Sequence, residues 1–196
     1  MSPTIHAGTI IAAGDYPTLV RARREFGDRR FGDRHLTRDD LLDNLLVEAA
    51  DTLVYLTLET RRWLKQLPAT AHIYGDDLAD LRAQAITFGE RCEHALCRLT
   101  GPGSPPFGRV FDARMAFGDE HYGMAYLERD NLAEGLEEIA DAQILVALEA
   151  DRRRHCSELT EPDRQLLDRL DANAHRLGLA VFDLRARALS PQRAAA

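Results

Sequence analysis

The feature that most restricts what this chain can fold into is a tandem repeat. Shifted by 91 residues, Ala22–Leu45 falls on Ala113–Leu136 with eleven identities: Ala22/Ala113, Arg23/Arg114, Phe26/Phe117, Gly27/Gly118, Asp28/Asp119, Gly32/Gly123, Leu36/Leu127, Arg38/Arg129, Asp39/Asp130, Leu41/Leu132 and Leu45/Leu136. After one residue of slippage the match continues through Glu48/Glu138, Ala50/Ala140, Asp51/Asp141, Leu58/Leu148, Glu59/Glu149 and Arg62/Arg152. Two amphipathic helices can share leucines by accident; sharing Gly, Asp and Arg in register points to a unit written twice. The boundaries read as a first copy at 1–100, a linker at 101–108 and a second copy at 109–196, packed as one globular unit, which suits a chain of 196 residues.

Each copy reads as a loop rich in Gly and Asp, a long helix, a short connection and a second helix. In the first copy the helices are predicted at about Arg38–Leu67 and Asp77–Leu99, with Pro68 and Tyr74-Gly75-Asp76 marking the connection. In the second, Glu161-Pro162 fills the connection and a helix runs from about Asp163 to Leu189. Thr37 and Asp39 are both suitable caps for the first long helix. Thr100–Gly108, crowded with Gly and Pro, should not be helical. The matched loops Phe26–Gly32 and Phe117–Gly123 pair aromatics with glycines; they could hold a nucleotide base, although turn chemistry with an aromatic docked on the core is the plainer reading.

The second helices carry a single apolar stripe each, Leu78, Leu81, Ala85, Phe88, Cys92, Leu96 and Leu99 in one, Leu166, Leu170, Ala174, Leu177, Val181 and Leu184 in the other. The first helices are apolar nearly all round, which indicates burial on most sides. On them Asn44, Glu48, Asp51, Tyr55 and Glu59 fall in one narrow stripe, repeated as Glu134, Glu138, Asp141, Leu145 and Glu149. A buried carboxylate without a partner costs several kcal/mol, so these stripes should face cations, donors or water. The expected architecture is all-α: a tandem-duplicated helical hairpin forming a pseudo-twofold four-helix bundle with flanking loops, the first helices side by side at the axis. That arrangement would gather Glu48, Asp51, Glu138 and Asp141 into one cleft, and an all-oxygen cluster favours Mg²⁺ or Mn²⁺.

Glu48-Ala-Ala-Asp51 and Glu137-Glu138-Ile-Ala-Asp141, each followed by an apolar run, resemble the ExxD helix of the all-α nucleotide pyrophosphatases, the MazG-like and dimeric dUTPase-like superfamily. The resemblance implies Mg²⁺ held by Glu48, Asp51, Glu138 and Asp141, and conversion of a nucleoside triphosphate to monophosphate and pyrophosphate by an attacking water. The family's EExxE element on a preceding helix has no counterpart in Tyr16–Arg34, where Glu25 is the only glutamate. Glu134 and Glu137 are therefore the candidates for a further ligand or the water-orienting base. Arg38 and Arg129, just ahead of the long helices, are candidates to clamp phosphate, with a structural ion pair as the alternative.

A formal charge of −7 disfavours binding to a nucleic-acid polymer, and no face collects cations at the level of sequence. No apolar stretch approaches the length of a membrane span, and Met1–Gly14 lacks the basic start of a secretion signal. Cys92, Cys97 and Cys156, odd in number and without CxxC spacing, suit a reducing cytoplasm. The expected partner is a nucleotide, with further pairing into a homodimer left open. The rival expectation is a non-catalytic helical interaction protein whose acids serve only salt bridges, with Arg38, Arg62, Arg129 and Arg152 as partners.

Overall fold

The computed structural model of the chain describes residues 14–190; Met1–Ala13, most of the stretch read for a targeting signal, lies outside them. Among the described residues there is no strand. Across these residues six α-helices run in the order α1 (Tyr16–Phe31), α2 (Leu41–Gln66), α3 (Pro68–Thr100), α4 (Phe107–Tyr122), α5 (Asn131–His155) and α6 (Glu161–Leu189). Short 3-10 segments, Gly32–Thr37 and Ala125–Glu128, lead into α2 and α5. The sequence of helix, 3-10 segment, long helix, long helix therefore occurs twice.

The all-round apolar character of α2 and α5 places them against each other. Leu42, Leu45, Leu46, Ala49, Ala50, Leu53 and Leu56 of α2 share one core with Leu132, Ala133, Leu136, Ile139, Ala140 and Val146 of α5. The two helices pass close together at Gly135, where an added Cβ would lie 3.4 Å from that of Tyr55. Helix α3 packs on α2, α6 packs on α5, and α3 and α6 also touch, so the four long helices close into a ring. Their single apolar stripes, from Leu78 to Leu96 and from Leu167 to Leu184, line its inside.

The expected flanking loops are helices instead. Phe26–Gly32 belongs mostly to α1 and Phe117–Gly123 mostly to α4, and only Gly32 and Gly123, at φ 55° and 50°, do the turn work expected of glycine by ending those helices. The cost of Gly27 and Gly118 inside a helix, about 1 kcal/mol each, is offset by anchorage at the other end. Tyr16 and Phe107, fully or nearly buried, sit at the starts of α1 and α4. Each ring lies over a glycine: a Cβ on Gly178 would come within 2.1 Å of the Tyr16 ring, and one on Gly89 within 2.1 Å of the Phe107 ring. Helix α1 thereby crosses to pack on α5 and α6 of the other half, and α4 crosses to α2 and α3. Phe117 is not docked on the core, being 42% exposed with the Arg114 guanidinium 5.6 Å above its ring.

Three other boundaries differ from expectation. The connection predicted from Pro68 to Asp76 is a single residue, Leu67, because Pro68 occupies the first turn of α3, where its missing N–H costs nothing. Tyr74 then packs against Trp63 across the hairpin. The linker is 101–106, since Thr100 closes α3 and Phe107 and Gly108 open α4. Asp40, not Thr37 or Asp39, stands at the start of α2, but its carboxylate accepts from Arg38 and caps nothing. At the equivalent place Asp130 does cap α5, accepting from the Ala133 N–H at 3.0 Å.

No helix among the described residues is long and apolar enough to cross a membrane. Cys92, Cys97 and Cys156 are free thiols.

Candidate functional site

The acidic stripes of α2 and α5 face one another across the helix contact, and their paired acids meet three different fates. Glu59 and Glu149, at the C-terminal ends, are 1% and 2% exposed and fully matched. Arg62 holds Glu59 through two hydrogen bonds of 2.8 and 2.6 Å, and Asn131 adds a third at 2.9 Å. Arg152 and Arg153 do the same for Glu149. These are structural ion pairs, of the kind the rival expectation assigned to Arg62 and Arg152.

Asp51 and Asp141 are also matched, by arginines that the sequence reading left without a role. Arg114 of α4 donates to both oxygens of Asp51 at 2.6 Å. Arg23 of α1 does the same to Asp141, at 2.7 Å through Nε and closer still through Nη2, and reaches Glu137 at 2.8 Å. The two forks are crossed: the arginine of each half serves the aspartate of the other. Burial lowers the pKa of Arg23, but hydrogen bonds and charge from Asp141, with Glu137 and Glu138, raise it further than burial depresses it. Desolvation pushes the Asp51 carboxyl up, and Arg114 only partly pulls it back. Glu137, 7% exposed, is likewise pushed up by burial with Arg23 opposing.

Glu48 and Glu138 form the centre. Their carboxyl groups face each other, and neither stands in an ion pair with a described residue. Burial pushes both pKa values up, Glu138 well above its ordinary value, with Glu48, Asp51 and Asp141 as its charged neighbours. Tyr55, on the same stripe, has its phenol pushed up by burial and by the charges of Glu138, Glu134 and Asp51. Glu134 sits half-buried on the face of α5 that holds Glu138.

The structure thus brings together Glu48, Asp51, Glu137, Glu138 and Asp141, with Glu134 beside them. It does not dispose them around one ion: among the described residues no group of three or more His, Cys, Asp or Glu is arranged to hold a metal. The reason is visible in the forks, which turn both oxygens of Asp51 and Asp141 toward guanidinium groups. As a donor set for a hard divalent cation, Glu48 and Glu138 fit without rearrangement of any ion pair; Asp51 and Asp141 fit only if their arginines let go.

Arg38 and Arg129 fall in two separate pockets in equivalent positions. Arg38 lines a cleft of about 350 Å³ between α1 and α5, with Arg24, Gly27, His35 and Ile144. Arg129 lines a pocket of about 70 Å³ between α4 and α2, with Asp51, Tyr55, Arg114 and Tyr126. Phe117 and Tyr126 also line the second, and His35 holds in the first the place that Tyr126 holds in the second. Arg38 is engaged by Asp40 at 2.7 and 2.8 Å, the ion-pair alternative foreseen for it.

What the sequence reading missed at this site, Arg23 and Arg114, left a trace. Both are identities of the repeat, and Leu19, Arg23 and Phe26 follow a helical spacing of four and three. No protein-family model, curated protein or solved structure is matched by this chain.

Proposed function

We propose that the protein is a divalent-metal-dependent nucleotide pyrophosphohydrolase, cleaving a nucleoside or deoxynucleoside triphosphate to the monophosphate and pyrophosphate. The observation that carries the reading is the Glu48–Glu138 pair: two facing carboxyls, without a cation of their own, at the meeting of two acidic stripes, of which Asp51 and Tyr55 line the pocket that presents Arg129. Closely apposed carboxyls must share a proton or recruit a cation, and hard oxygen donors favour Mg²⁺ or Mn²⁺. Such an ion would supply charge neutralisation of the phosphate chain.

In this reading Glu48 and Glu138 hold the ion, and Asp51 and Asp141 complete its shell. Arg23 and Arg114, already placed as two-pronged donors, exchange carboxylate for phosphate oxygens, to which their geometry is equally suited. Glu134 or Glu137 orients the attacking water. Arg38, in the wider cleft, contacts the phosphate chain, and Arg129 plays the equivalent part in the narrower one. The two halves descend from one duplicated unit, the protein works in the reducing cytoplasm, and any homodimer adds a second level of pairing.

A second reading is favoured by one specific observation. The crossed forks, Arg23 on Asp141 and Glu137 and Arg114 on Asp51, are what a helical scaffold would use to neutralise acids kept only for packing. A panel of nucleoside and deoxynucleoside triphosphates, scored for pyrophosphate release with Mg²⁺ or Mn²⁺ and with EDTA, separates the two. Release that requires the metal and is lost in Glu138→Gln supports the enzyme. No release from any nucleotide, together with no thermal response to either metal, supports the scaffold.

A further inference from the structure

The outer surface of the ring carries a second feature that the acidic site does not use. Helices α3 and α6 are separated on their solvent side by a trough made of two clefts, about 350 and 560 Å³, which share Arg91, Asn173 and Arg176. Both clefts are lined by α3 and α6 alone, with no residue from the helices that bear the acidic stripes. Although the sequence suggested no face that collects cations, the fold makes one here: Arg91 and Arg98 come from α3, Arg169 and Arg176 from α6, with His94 between them.

Two details set these arginines apart from the others in the chain. The first is what they touch. Arg23, Arg62, Arg114, Arg152 and Arg187 each donate to a carboxylate. Arg91 and Arg176 instead converge on one neutral oxygen, donating to Oδ1 of Asn173 at 2.7 and 2.6 Å. Two guanidinium groups held on a single amide oxygen keep their charge uncompensated. No Asp or Glu lines either cleft, in a chain with 32 acids; Arg98 alone approaches one, Asp163, at 3.6 Å.

The second detail is spacing. Arg91 and Arg98 are seven residues apart, as are Arg169 and Arg176, so each pair shares a helix face with a separation of about 10 Å. Arg91 stands opposite Arg176, and Arg98 and Arg169 both line the wider cleft. The result is a short track of four positive charges and not a point site.

We propose that this trough is a binding site for a phosphate-chain anion, with Arg91, Arg98, Arg169 and Arg176 as its ligands. An extended chain of phosphoryl groups places charge along the whole track, whereas a single phosphate satisfies only the pair at Asn173. Of the rings that line the trough, Phe88 is buried and His94 stands alone, so there is no row of stacking platforms for successive bases. The net charge of −7 also opposes a long nucleic-acid strand.

The test is calorimetric titration of the full chain with sodium tripolyphosphate, in EDTA so that no metal-dependent site contributes. Binding should weaken as salt is raised from 50 to 200 mM. Arg91→Gln and Arg176→Gln should each reduce affinity about tenfold, the value of one charge-assisted hydrogen bond. Arg164→Gln, an exposed arginine of α6 outside the trough, should leave it unchanged. Arg169→Gln provides an independent variant should Arg91→Gln fail to fold by circular dichroism. The proposal is overturned by absence of binding, by equal loss in Arg164→Gln, by orthophosphate binding as tightly as tripolyphosphate, or by a single-stranded oligonucleotide outcompeting tripolyphosphate for the same arginines.

Discussion

Glu48 and Glu138 meet carboxyl to carboxyl where α2 and α5 face each other, and each has its proton affinity raised, chiefly by burial. A carboxyl whose folded pKa lies above the unfolded value favours folding in its protonated form. Its stabilising effect is complete below the ordinary value of 4.5 and is lost as pH rises through the raised folded value. Metal-free protein should therefore lose stability as pH rises above about 4.5, in contrast to domains whose carboxylates are held by cations. Glu138→Gln, whose amide can donate to Glu48 and which removes the charge, should flatten that slope. It should raise Tm by about 2–4 °C near pH 8, roughly 1 kcal/mol for a chain of this size, and by little at pH 4.5. Thermal melts in EDTA across that range check it; identical slopes in wild type and variant would remove the Glu pair as the cause.

How much of this arrangement was legible beforehand depends on which interactions set each part. The long helices and their acidic edges are local facts of spacing: Glu48, Asp51, Glu138 and Asp141 lie on the faces that the 3.6-residue period assigns them. The all-α fold follows from the same periodicity. The helices α1 and α4 were missed because Gly27, Asp28, Gly118 and Asp119 are turn formers by local preference. What overrides that preference is tertiary: Tyr16 seated on Gly178, Phe107 seated on Gly89, and the forks of Arg23 and Arg114. None of these partners is within 60 residues of the segment it fixes, except Phe107 on Gly89. Pro68 was read as a break because a proline opens a helix as readily as it ends one, and only the hairpin geometry decides.

The two forks should differ in energy despite their equivalent positions. The Arg23 side chain is 13% exposed and serves two acids, while that of Arg114 is 39% exposed and serves one. Removing one partner of a buried pair costs about 3–5 kcal/mol, and an exposed pair about 1 kcal/mol or less. Arg23→Ala should therefore cost about 3 kcal/mol in urea unfolding and Arg114→Ala about 1 kcal/mol. Asp141→Ala added to Arg23→Ala should restore part of the loss, since it removes a stranded carboxylate. Equal losses in the two single variants would show that the forks do not carry the asymmetry seen in their burial.

Gly178 and Gly89 are required for space and not for backbone freedom. A Cβ at either would lie within 2.1 Å of an aromatic carbon, against rings that are themselves buried. Gly178→Ala and Gly89→Ala should each destabilise by about 1–3 kcal/mol through overpacking, although alanine favours helix over glycine. Tyr16→Leu combined with Gly178→Ala should be less than additive, because the smaller side chain leaves room for the methyl group. Stabilisation by either alanine would mean that the rings stand off their glycines in solution.

The most direct prediction concerns metal. If Glu48 and Glu138 hold Mg²⁺ or Mn²⁺, the ion binds folded protein and not the unfolded chain, so it must stabilise. At a hundredfold excess over Kd the gain is about 2.7 kcal/mol, or roughly 5–10 °C in Tm for a chain of this length. Glu48→Gln and Glu138→Gln should each abolish the shift, because each removes one of the two facing carboxylates at the centre, neither of which is committed to an arginine. Asp141→Asn should weaken it less, since Asp141 joins the ion only after leaving Arg23. Arg23→Ala frees Glu137 and Asp141 together, and so should strengthen metal binding while lowering the metal-free Tm. That opposite movement of two readings in one variant is what a structural ion pair unrelated to metal cannot produce. An Arg23→Ala protein whose Tm falls by the same amount with and without Mn²⁺ would leave the forks as packing devices and the scaffold reading as the better one.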